Sequence, residues 1–300
     1  MFSELASGVF SVNHDTAEGK NGIIVGSQGA VAIDTGLHPE EGDRMAEFIS
    51  THGYHPEYLI LTHGHSDHIF GSKAFQEAEV FAHFLTPTVI AKQIYVQAKR
   101  TGIDAAELRA SIAQPTVSFV EDMRLNLGDK HVCLFHSPGH SSDSVCVYVE
   151  EDRVLFAGDT VVTGIVPALW DGDSRQMEHS LWTLASMDIE VLVPGHGPVL
   201  RGADVVHEWI LWLIDYLVTI RESVIMSLEQ GYDPESAVNA ASFREFAAGR
   251  LPENKHNMIR RHRDTVRNIV EEELQRIQPQ PVSSATYARM APTGHQVRVS

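Results

Sequence analysis

Residues 58–68 read Tyr-Leu-Ile-Leu-Thr-His-Gly-His-Ser-Asp-His, an apolar run that leads directly into three imidazoles and a carboxylate. A short apolar run bounded by polar residues is typical of a buried strand, and glycine allows a sharp turn where the strand ends. Neutral imidazole and carboxylate are ligands that suit zinc and similar first-row metals. Because side chains alternate along a strand, His63 and His65 could serve one metal, and the tighter turn that follows would send Asp67 and His68 toward a second. The alternative is a polar loop that is rich in histidine by chance.

The composition is that of an ordinary globular protein. The chain has 300 residues, of which 43% are hydrophobic and 21% charged, enough for one large domain or a domain with an appendage. The 23 Lys and Arg against 40 Asp and Glu give a net charge of −17. Such an acidic chain is a poor match for the phosphate backbone of nucleic acids, so we expect no nucleic-acid partner. A small anionic substrate stays open, because bound metals dominate their local field.

Neither the cysteines nor the hydropathy indicates secretion or a membrane. Cys133 and Cys146 lie in apolar stretches and read as small buried hydrophobes, with no disulfide framework. The N-terminus has no basic region followed by a long apolar core. No stretch reaches the ~18 uninterrupted apolar residues of a membrane span, and the nearest, at 209–220, carries Asp215. These features predict a cytoplasmic protein without a membrane partner.

The first 200 residues show the same order of predicted elements twice, in which strands are followed by a helix and a further strand. In the first half we predict strands at 9–12, 23–25, 30–34, 58–61 and 80–83, and helices at 39–51 and 67–78. In the second half we predict strands at 117–120, 123–127, 131–135, 144–149, 153–157 and 191–193, and a helix at 174–187. Helices at 87–100 and 104–113 form an insertion that could wall one side of the site. This order predicts an α/β fold of two packed sheets with helices outside.

The remainder of the chain is predicted to be helical, at 203–230, 234–248 and 254–277. Apolar residues at helical spacing in the first of these helices suit core packing, a lid over the site or a homodimer face. We therefore predict a catalytic domain at 1–202 and a C-terminal helical extension at 203–278. The tail at 279–300 is rich in Pro, Ser, Thr and Ala, and we predict that it is disordered.

Three later segments repeat the pattern of an apolar strand that ends in a ligand residue beside glycine. They contain Ser-Pro-Gly-His140, Ala-Gly-Asp159-Thr and Val-Pro-Gly-His196-Gly-Pro. Ligand sites gather at the carboxyl ends of strands, and glycine lets backbone and metal approach closely. Each motif alone would also fit a simple turn. Together with residues 63–68 they give five His and two Asp at four strand ends, in an order that fits two metals.

These motifs, with Ala-Ile-Asp34-Thr-Gly, resemble those of the metallo-β-lactamase superfamily over about residues 8–200. The resemblance implies a four-layer αββα sandwich. It also implies a ligand set for two metals. The first metal would be held by His63, His65 and His140. The second would be held by Asp67, His68 and His196, with Asp159 as the bridge. Asp34 would fix the metal loop from behind the ligands.

The resemblance further implies a hydrolase with two Zn²⁺ per chain, with Mn²⁺ or Fe²⁺ as other metals. Two dications can share a water molecule and lower its pKa. We expect a metal-bound hydroxide beside Asp159 and Asp67 to attack the carbonyl of a small-molecule ester, thioester, lactone or β-lactam. Asp67 would then pass the proton to the leaving group.

In this family the segment after the bridging Asp lines the substrate pocket. That segment here is mostly apolar, so Trp170 and Ile165 are candidates for the pocket, with Phe70 as a further one. A mostly apolar pocket wall with Trp170 would favour a substrate that carries an apolar or aromatic group. Packing of Trp170 beneath the C-terminal helices is the alternative.

Differences between this sequence and the motifs of particular branches of the superfamily reduce the number of functions to consider. Neither cysteine lies at a ligand position, and His65 stands where di-iron flavoproteins of the superfamily typically have Glu. The C-terminal basic motif of glyoxalase II is not evident, although basic residues are available at Arg244, Arg250, Lys255, Arg260 and Arg261. A mono-iron sulfur dioxygenase of the same fold, a phosphodiesterase and a non-catalytic binder are the alternatives. The substrate, the leaving atom and the metal in the cell stay open.

Overall fold

The computed structural model describes residues 2–14, 18–252 and 257–277, and within them the strands form two sheets. The first sheet has seven strands that lie side by side in chain order. They are β1 (Phe2–Ala6), β2 (Val9–Asn13), β3 (Lys20–Val25), β4 (Ala30–Ile33), β5 (Tyr58–Ile60), β6 (Glu79–His83) and β7 (Val117–Phe119). Strands β1 to β4 are antiparallel, and β4 to β7 are parallel.

The second sheet has six strands within the described residues, and they also lie side by side in chain order. They are β8 (Asp122–Asn126), β9 (His131–His136), β10 (Val145–Val149), β11 (Val154–Phe156), β12 (Val191–Val193) and β13 (Leu200–Arg201). Only the β11–β12 pair is parallel. Strand β13 was not predicted from the sequence, because two residues are too short to show alternation.

Helices cover the outer face of each sheet. In the described part of the chain they are α1 (Pro39–Thr51), α2 (Ser66–Ile69), α3 (Thr86–Thr101), α4 (Ala105–Ala110), α5 (Ser174–Ala185), α6 (Ala203–Glu229), α7 (Pro234–Ala240), α8 (Phe243–Phe246) and α9 (Met258–Ile277). The helix predicted at 67–78 is interrupted, since α2 is one turn long and a 3₁₀ turn follows at Ser72–Phe75. The backbone at Gly71 there packs on the loop after β4, where an added Cβ would lie 2.1 Å from the carbonyl oxygen of Thr35.

Alternation along the strands produces three hydrophobic layers. Ile23 faces α1 and packs in one buried cluster with Met45. Its neighbour Ile24 faces the opposite way, into a cluster between the sheets that includes Val147. A third cluster, which includes Leu155, lies between the second sheet and the helices α5, α6, α7 and α9. The layers therefore run helix, sheet, sheet, helix, and the predicted αββα sandwich with C-terminal helices is confirmed.

The C-terminal helices pack on the second sheet through the apolar stripe of α6. Trp209, Leu213, Leu217 and Ile220 are buried in the third cluster. The indole Nε1 of Trp209 donates a hydrogen bond to the carbonyl oxygen of Val162 at 2.9 Å. Of the three roles considered for this stripe, the structure shows core packing. The homodimer and the domain division at residue 202 stay predictions, and the predicted tail lies outside the described residues.

All the predicted ligand segments leave strands at the same edge of the sandwich. They follow the carboxyl ends of β4, β5, β9, β11 and β12. No helix within the described residues has the length and apolar character that a membrane span requires.

Candidate metal centre

The loop after β5 and the helix α2 supply the first four predicted ligands. Gly64 lies against α3, where an added Cβ would be 3.0 Å from the backbone nitrogen of Ile90. The Gly64 N–H donates to Oδ2 of the buried Asp143 at 2.9 Å. These contacts hold the loop so that His63 and His65 on either side of Gly64 face the same edge of the sandwich, with ring centroids 4.6 Å apart.

The seven predicted ligands come together in three overlapping groups, in each of which the ligand atoms lie within 4.8 Å of one another. One group is His63, His65 and His140; the next is His63, His68 and Asp159; the last is Asp67, His68 and His196. The first and last groups have the composition of the two metal sites that the resemblance implied. The middle group shares members with both, so the two sites are adjacent.

Asp159 lies between the two outer groups. Its Oδ2 is 3.4 Å from Nε2 of His140, and its Oδ1 is 3.4 Å from Nε2 of His68 and 3.5 Å from Nε2 of His196. Glycine is required beside it, because a Cβ at Gly195 would lie 1.9 Å from Asp159 Oδ1. Each carboxylate oxygen thus faces a different ligand group, as a bridging carboxylate needs.

Asp34 supports the centre from behind. It adopts a left-handed backbone conformation (φ 53°) and accepts hydrogen bonds from Thr62 N at 2.8 Å and Thr62 Oγ1 at 2.6 Å. It lies 2.9 Å from Nδ1 of His68, and Thr62 Oγ1 lies 3.1 Å from Nδ1 of His63. Because both Nδ1 atoms donate in this network, the Nε2 atoms of His63 and His68 are left as acceptors or metal ligands.

The donor set fits divalent metal ions. Four ligand atoms are buried and have no hydrogen-bond partner, namely Nε2 of His63, His65 and His68 and Oδ1 of Asp159. Buried polar atoms without partners are rare in folded proteins. Four of them converge here, and their imidazole and carboxylate groups are ligands of zinc, manganese and iron.

The protonation states also suit metal binding. Burial, reinforced by neighbouring imidazoles, holds the pKa of His63 well below its ordinary value, and burial lowers that of His140 to about 4. Burial alone would raise the pKa of Asp159, but His196 and the other imidazoles around it hold that pKa well below the usual range. Burial opposes protonation of His68, while Asp34 and Asp159 raise its pKa well above the ordinary value. Neutral His63 and His140 with ionised Asp159 are in the forms that bind metals.

A cavity of about 320 Å³ opens over the centre. It is lined by His65, Ser66, Asp67, Gln93, Val96, Gln97, Arg100, His140, Asp159, Trp170, His196 and Arg261. Trp170 is 57% exposed and lies on this wall. A larger cavity of about 600 Å³ elsewhere contains none of the seven predicted ligands, so the smaller one is the candidate for chemistry.

The predictions for Ile165 and Phe70 are corrected. Neither lines the cavity over the metal centre. Ile165 is buried in the core beneath the C-terminal helices, and Phe70 is buried in the core outside the first sheet. Both side chains are apolar, and burial in a core removes more of their surface from water than the wall of an open cavity would.

Sequence reasoning missed most of the polar cavity wall. Gln93, Gln97 and Arg100 reach it from α3, and Arg261 reaches it from α9. The spacing of the α3 residues was a usable signal, because positions three and four apart share one face of a helix. Arg261 was noted only as an available basic residue, and Lys255 lies outside the described residues.

Two further residues near the ligands were also missed. Asp171 Oδ2 lies 3.7 Å from Nε2 of His65, and the same carboxylate pairs with Lys92. His14 packs its buried ring edge-on against His68 and His196, at centroid distances of 6.2 and 5.7 Å. Neither residue belongs to a motif that sequence alone reveals.

Comparison with known proteins agrees with this geometry. A sequence profile described as the metallo-beta-lactamase superfamily matches residues 18–196. The chain is 30% identical over 186 residues to the acyl-coenzyme A thioesterase MBLAC2 of Bos taurus, covering 53% of this chain and 66% of that protein. It is 29% identical over 178 residues to the hydroxyacylglutathione hydrolase of Francisella tularensis subsp. tularensis (strain WY96-3418), covering 58% and 61%. The chain therefore spans less than two thirds of the length of these relatives.

Solved structures show the same fold. The metallo-beta-lactamase family protein TTHA1429 from Thermus thermophilus aligns with a TM-score of 0.62 at 18% identity, over 90% of this chain and 95% of that one. A metallo-beta-lactamase from Pontibacter korlensis aligns with a TM-score of 0.56 at 23% identity, over 72% and 98%. At these identities the likeness concerns the fold alone.

Proposed function

Because the chain belongs to the metallo-β-lactamase superfamily, we propose that it is a hydrolase with two divalent metal ions, zinc foremost, that cleaves a small-molecule thioester. The observation that carries this proposal is the position of Asp159. Its two carboxylate oxygens face two different groups of imidazoles. A single metal would leave one of those groups without a cation.

We assign the ligands as the two outer groups indicate. His63, His65 and His140 would hold the first metal, and Asp67, His68 and His196 would hold the second. Asp159, whose two carboxylate oxygens face the two groups, would be available to both. Support comes from the convergence of the ligand atoms and from the four buried ligand atoms without partners.

Two divalent cations at this centre would polarise a substrate carbonyl and lower the pKa of a water molecule toward neutrality. Asp67 is placed to handle the proton, since its Oδ2 lies 3.3 Å from His196 Nε2 and 29% of its side chain is exposed to the cavity. Its carboxylate orients the attacking water, takes up the proton and returns it to the leaving sulfur. Asp34 and Thr62 keep the Nε2 atoms of His63 and His68 directed at the centre.

The two relatives favour a thioester over the other carbonyl compounds. Their names describe a thioesterase of acyl-coenzyme A and a hydrolase of hydroxyacylglutathione. Both substrates carry an acyl group on a thiol-bearing carrier. A thiolate is also a good leaving group, which needs little help beyond the proton that Asp67 supplies.

The test combines metal analysis with two assays of the same reaction. Protein loaded with Zn²⁺ should contain two metal ions per chain. A pH indicator would report acid release from an ester, a thioester, a lactone and a β-lactam, and a thiol reagent would report the sulfur released from the thioester alone. We expect the thioester to be cleaved fastest.

Two variants test the assigned roles. Asp67→Asn should cut turnover at least ~100-fold, the range of general acid–base catalysis, while the fold stays intact. His65→Ala should lose both activity and metal. Asp215→Asn on α6 and His179→Ala on α5 are matched controls, because both residues are exposed and neither lines the cavity over the centre. Near-normal turnover of Asp67→Asn would overturn its role. One iron per chain with oxygen uptake would overturn the hydrolase assignment. Cleavage of phosphodiesters only would overturn the thioester as substrate.

A further inference from the structure

One wall of the cavity is a helix face made of hydrogen-bond donors. Gln93, Val96, Gln97 and Arg100 line the cavity from α3 at positions i, i+3, i+4 and i+7, which share one face of a helix. Three of the four side chains end in N–H groups. A wall of this kind suits a substrate that carries acceptor atoms in addition to the apolar or aromatic group expected from the sequence around Trp170.

The facing wall holds a second guanidinium. Arg261 projects from α9, and its guanidinium carbon lies 6.0 Å from the centroid of the Trp170 ring. This distance is within the range of a cation–π contact, which holds the planar group in one orientation. The Nε atom of Arg261 is buried without a hydrogen-bond partner. The side chain is therefore positioned by the indole and has donors to spare.

Neither guanidinium is neutralised within the described residues. No ion pair involves Arg100 or Arg261, whereas Lys92, on the same helix as Arg100, pairs with Asp171. The carboxylates on the cavity wall, Asp67 and Asp159, face the proposed metal ions, which would more than offset their charge. With the proposed metal ions bound, this cavity would carry a local positive potential in a chain whose net charge is −17.

We propose that Arg100 and Arg261 form an anion-binding subsite for the phosphate or carboxylate groups of the thiol carrier of the substrate. The inference rests on the proposed thioester hydrolysis. Guanidinium groups recognise both anions through paired N–H donors. With the thioester carbonyl at the metal centre, the carrier passes between α3 and Trp170 and places its anionic groups against the two arginines. Gln93 and Gln97 donate to the amide carbonyls or other acceptors along the carrier.

Binding of unreactive thioethers tests the subsite without any turnover. The probes are S-methyl-coenzyme A, which carries phosphates, S-methylglutathione, which carries carboxylates, and neutral S-methyl-N-acetylcysteamine. Calorimetry of the metal-loaded protein should show that one anionic probe, or both, binds more tightly than the neutral one. Each arginine variant, Arg100→Gln or Arg261→Gln, should bind the preferred anionic probe roughly tenfold more weakly, because it loses hydrogen bonds to a charged group in a partly exposed site. Higher salt should weaken binding in the wild type more than in the double variant.

Matched controls remove the same charge one residue away. Lys99→Gln on α3 and Arg260→Gln on α9 alter exposed side chains that do not line the cavity, and they should bind the probes as the wild type does. The preferred anionic probe identifies which anion the subsite takes. Equal affinity for all three probes would overturn the inference. Equal losses for the neutral and anionic probes in the arginine variants would also overturn it, since that result indicates a structural role.

Hydrolysis assays separate this inference from the proposed function. The substrates are the S-acetyl thioesters of coenzyme A, glutathione and N-acetylcysteamine. In the arginine variants we expect the ratio of kcat/KM for the anionic over the neutral thioester to fall about tenfold, chiefly through KM, because the subsite lies away from the reacting carbonyl. Cleavage of all three with no such change refutes the subsite and leaves the thioesterase standing. Arginine-dependent binding without cleavage of any thioester refutes the thioesterase and leaves the subsite standing.

Discussion

Replacing Asp34 with Asn should disturb the metal centre without changing any proposed ligand. Asp34 accepts from Thr62 N at 2.8 Å, from Thr62 Oγ1 at 2.6 Å, and pairs with His68 Nδ1 at 2.9 Å. Asparagine has the same size and tolerates the left-handed φ of 53°. Its amide, however, has only one oxygen. If that oxygen keeps the bond from Thr62 N, an NH₂ group faces His68 Nδ1 and Thr62 Oγ1.

The size of the expected loss in metal affinity follows from two hydrogen-bond donors that face each other in the variant. His68 Nδ1–H and the new NH₂ are both donors, so the imidazole must turn or move its proton to Nε2, the atom proposed to bind metal. Loss of a hydrogen bond to a charged group costs about 1.5–3 kcal/mol. Changes to residues that support metal ligands typically reduce metal affinity 10- to 100-fold. We expect a loss of that size at the second metal, and a smaller one at the first, where Thr62 supports only His63.

Competition with a chelator that reports two successive dissociation constants for Zn²⁺ would measure this. Urea unfolding of the metal-free protein should show a loss of about 1.5–3 kcal/mol from the broken hydrogen bond. Asp215→Asn, an exposed change on α6, is the control for loss of a carboxylate. If Asp34→Asn binds both ions with wild-type affinity, the hydrogen bond that His68 Nδ1 donates to Asp34 does not set the tautomer of His68, and the expected loss of metal affinity is wrong.

Two other changes test the packing at the centre and the C-terminal core. Gly195→Ala would place a Cβ 1.9 Å from Asp159 Oδ1, so we expect this variant to lose bound metal and to be about 1–3 kcal/mol less stable. Gly249→Ala is the control, because its Cβ would meet nothing within 4 Å. Full metal content in Gly195→Ala would contradict the expected clash with Asp159. Burial lowers the pKa of His262 from 6.5, while its bond to the carbonyl of Ala241 acts in the opposite direction. Below pH 6.5 the unfolded chain therefore takes up a proton that the folded chain does not, and stability falls as the pH drops, by up to about 1.4 kcal/mol per pH unit. His262→Gln should remove that contribution, which urea unfolding of metal-free protein at about pH 5 and pH 7.5 would detect; an unchanged difference between the two pH values would count against it.

The sequence was most informative where local pattern and tertiary packing agree. The strand predicted at 191–193 and the helix predicted at 39–51 have those bounds in the structure. Their apolar residues are buried where the two periods, two and about 3.6, place them. Strand β1 was missed because it is a half-exposed edge strand with polar residues at Ser3 and Glu4. The helix predicted at 234–248 is two short helices, since the chain leaves the helical conformation at Ala241.

The ligands were easier to predict than the substrate pocket for a physical reason. Each ligand follows a strand, so its position is fixed by a few neighbouring residues and by the parallel strand ends. Arg100 and Arg261 lie on helices separated by about half the chain, and they meet over one cavity only after the sandwich has formed. No local pattern encodes that meeting. Ile165 and Phe70 failed because an apolar residue close in sequence to a ligand is more often buried in a core than exposed to a substrate.

The proposed metal ligands and the proposed carrier-binding arginines lie in different parts of the chain. The family profile ends at residue 196, which is the last proposed ligand, while Arg261 lies beyond it on α9. The metal chemistry is thus built by the part of the chain that the family shares. One of the two cationic walls belongs to the part that the profile does not match. The metal motifs that this chain shares with its relatives therefore do not determine which thiol carrier it binds. Changes at the strand ends should act mainly on metal content and kcat, and changes on the cavity face of α3 or on α9 should act mainly on KM and on the choice of carrier.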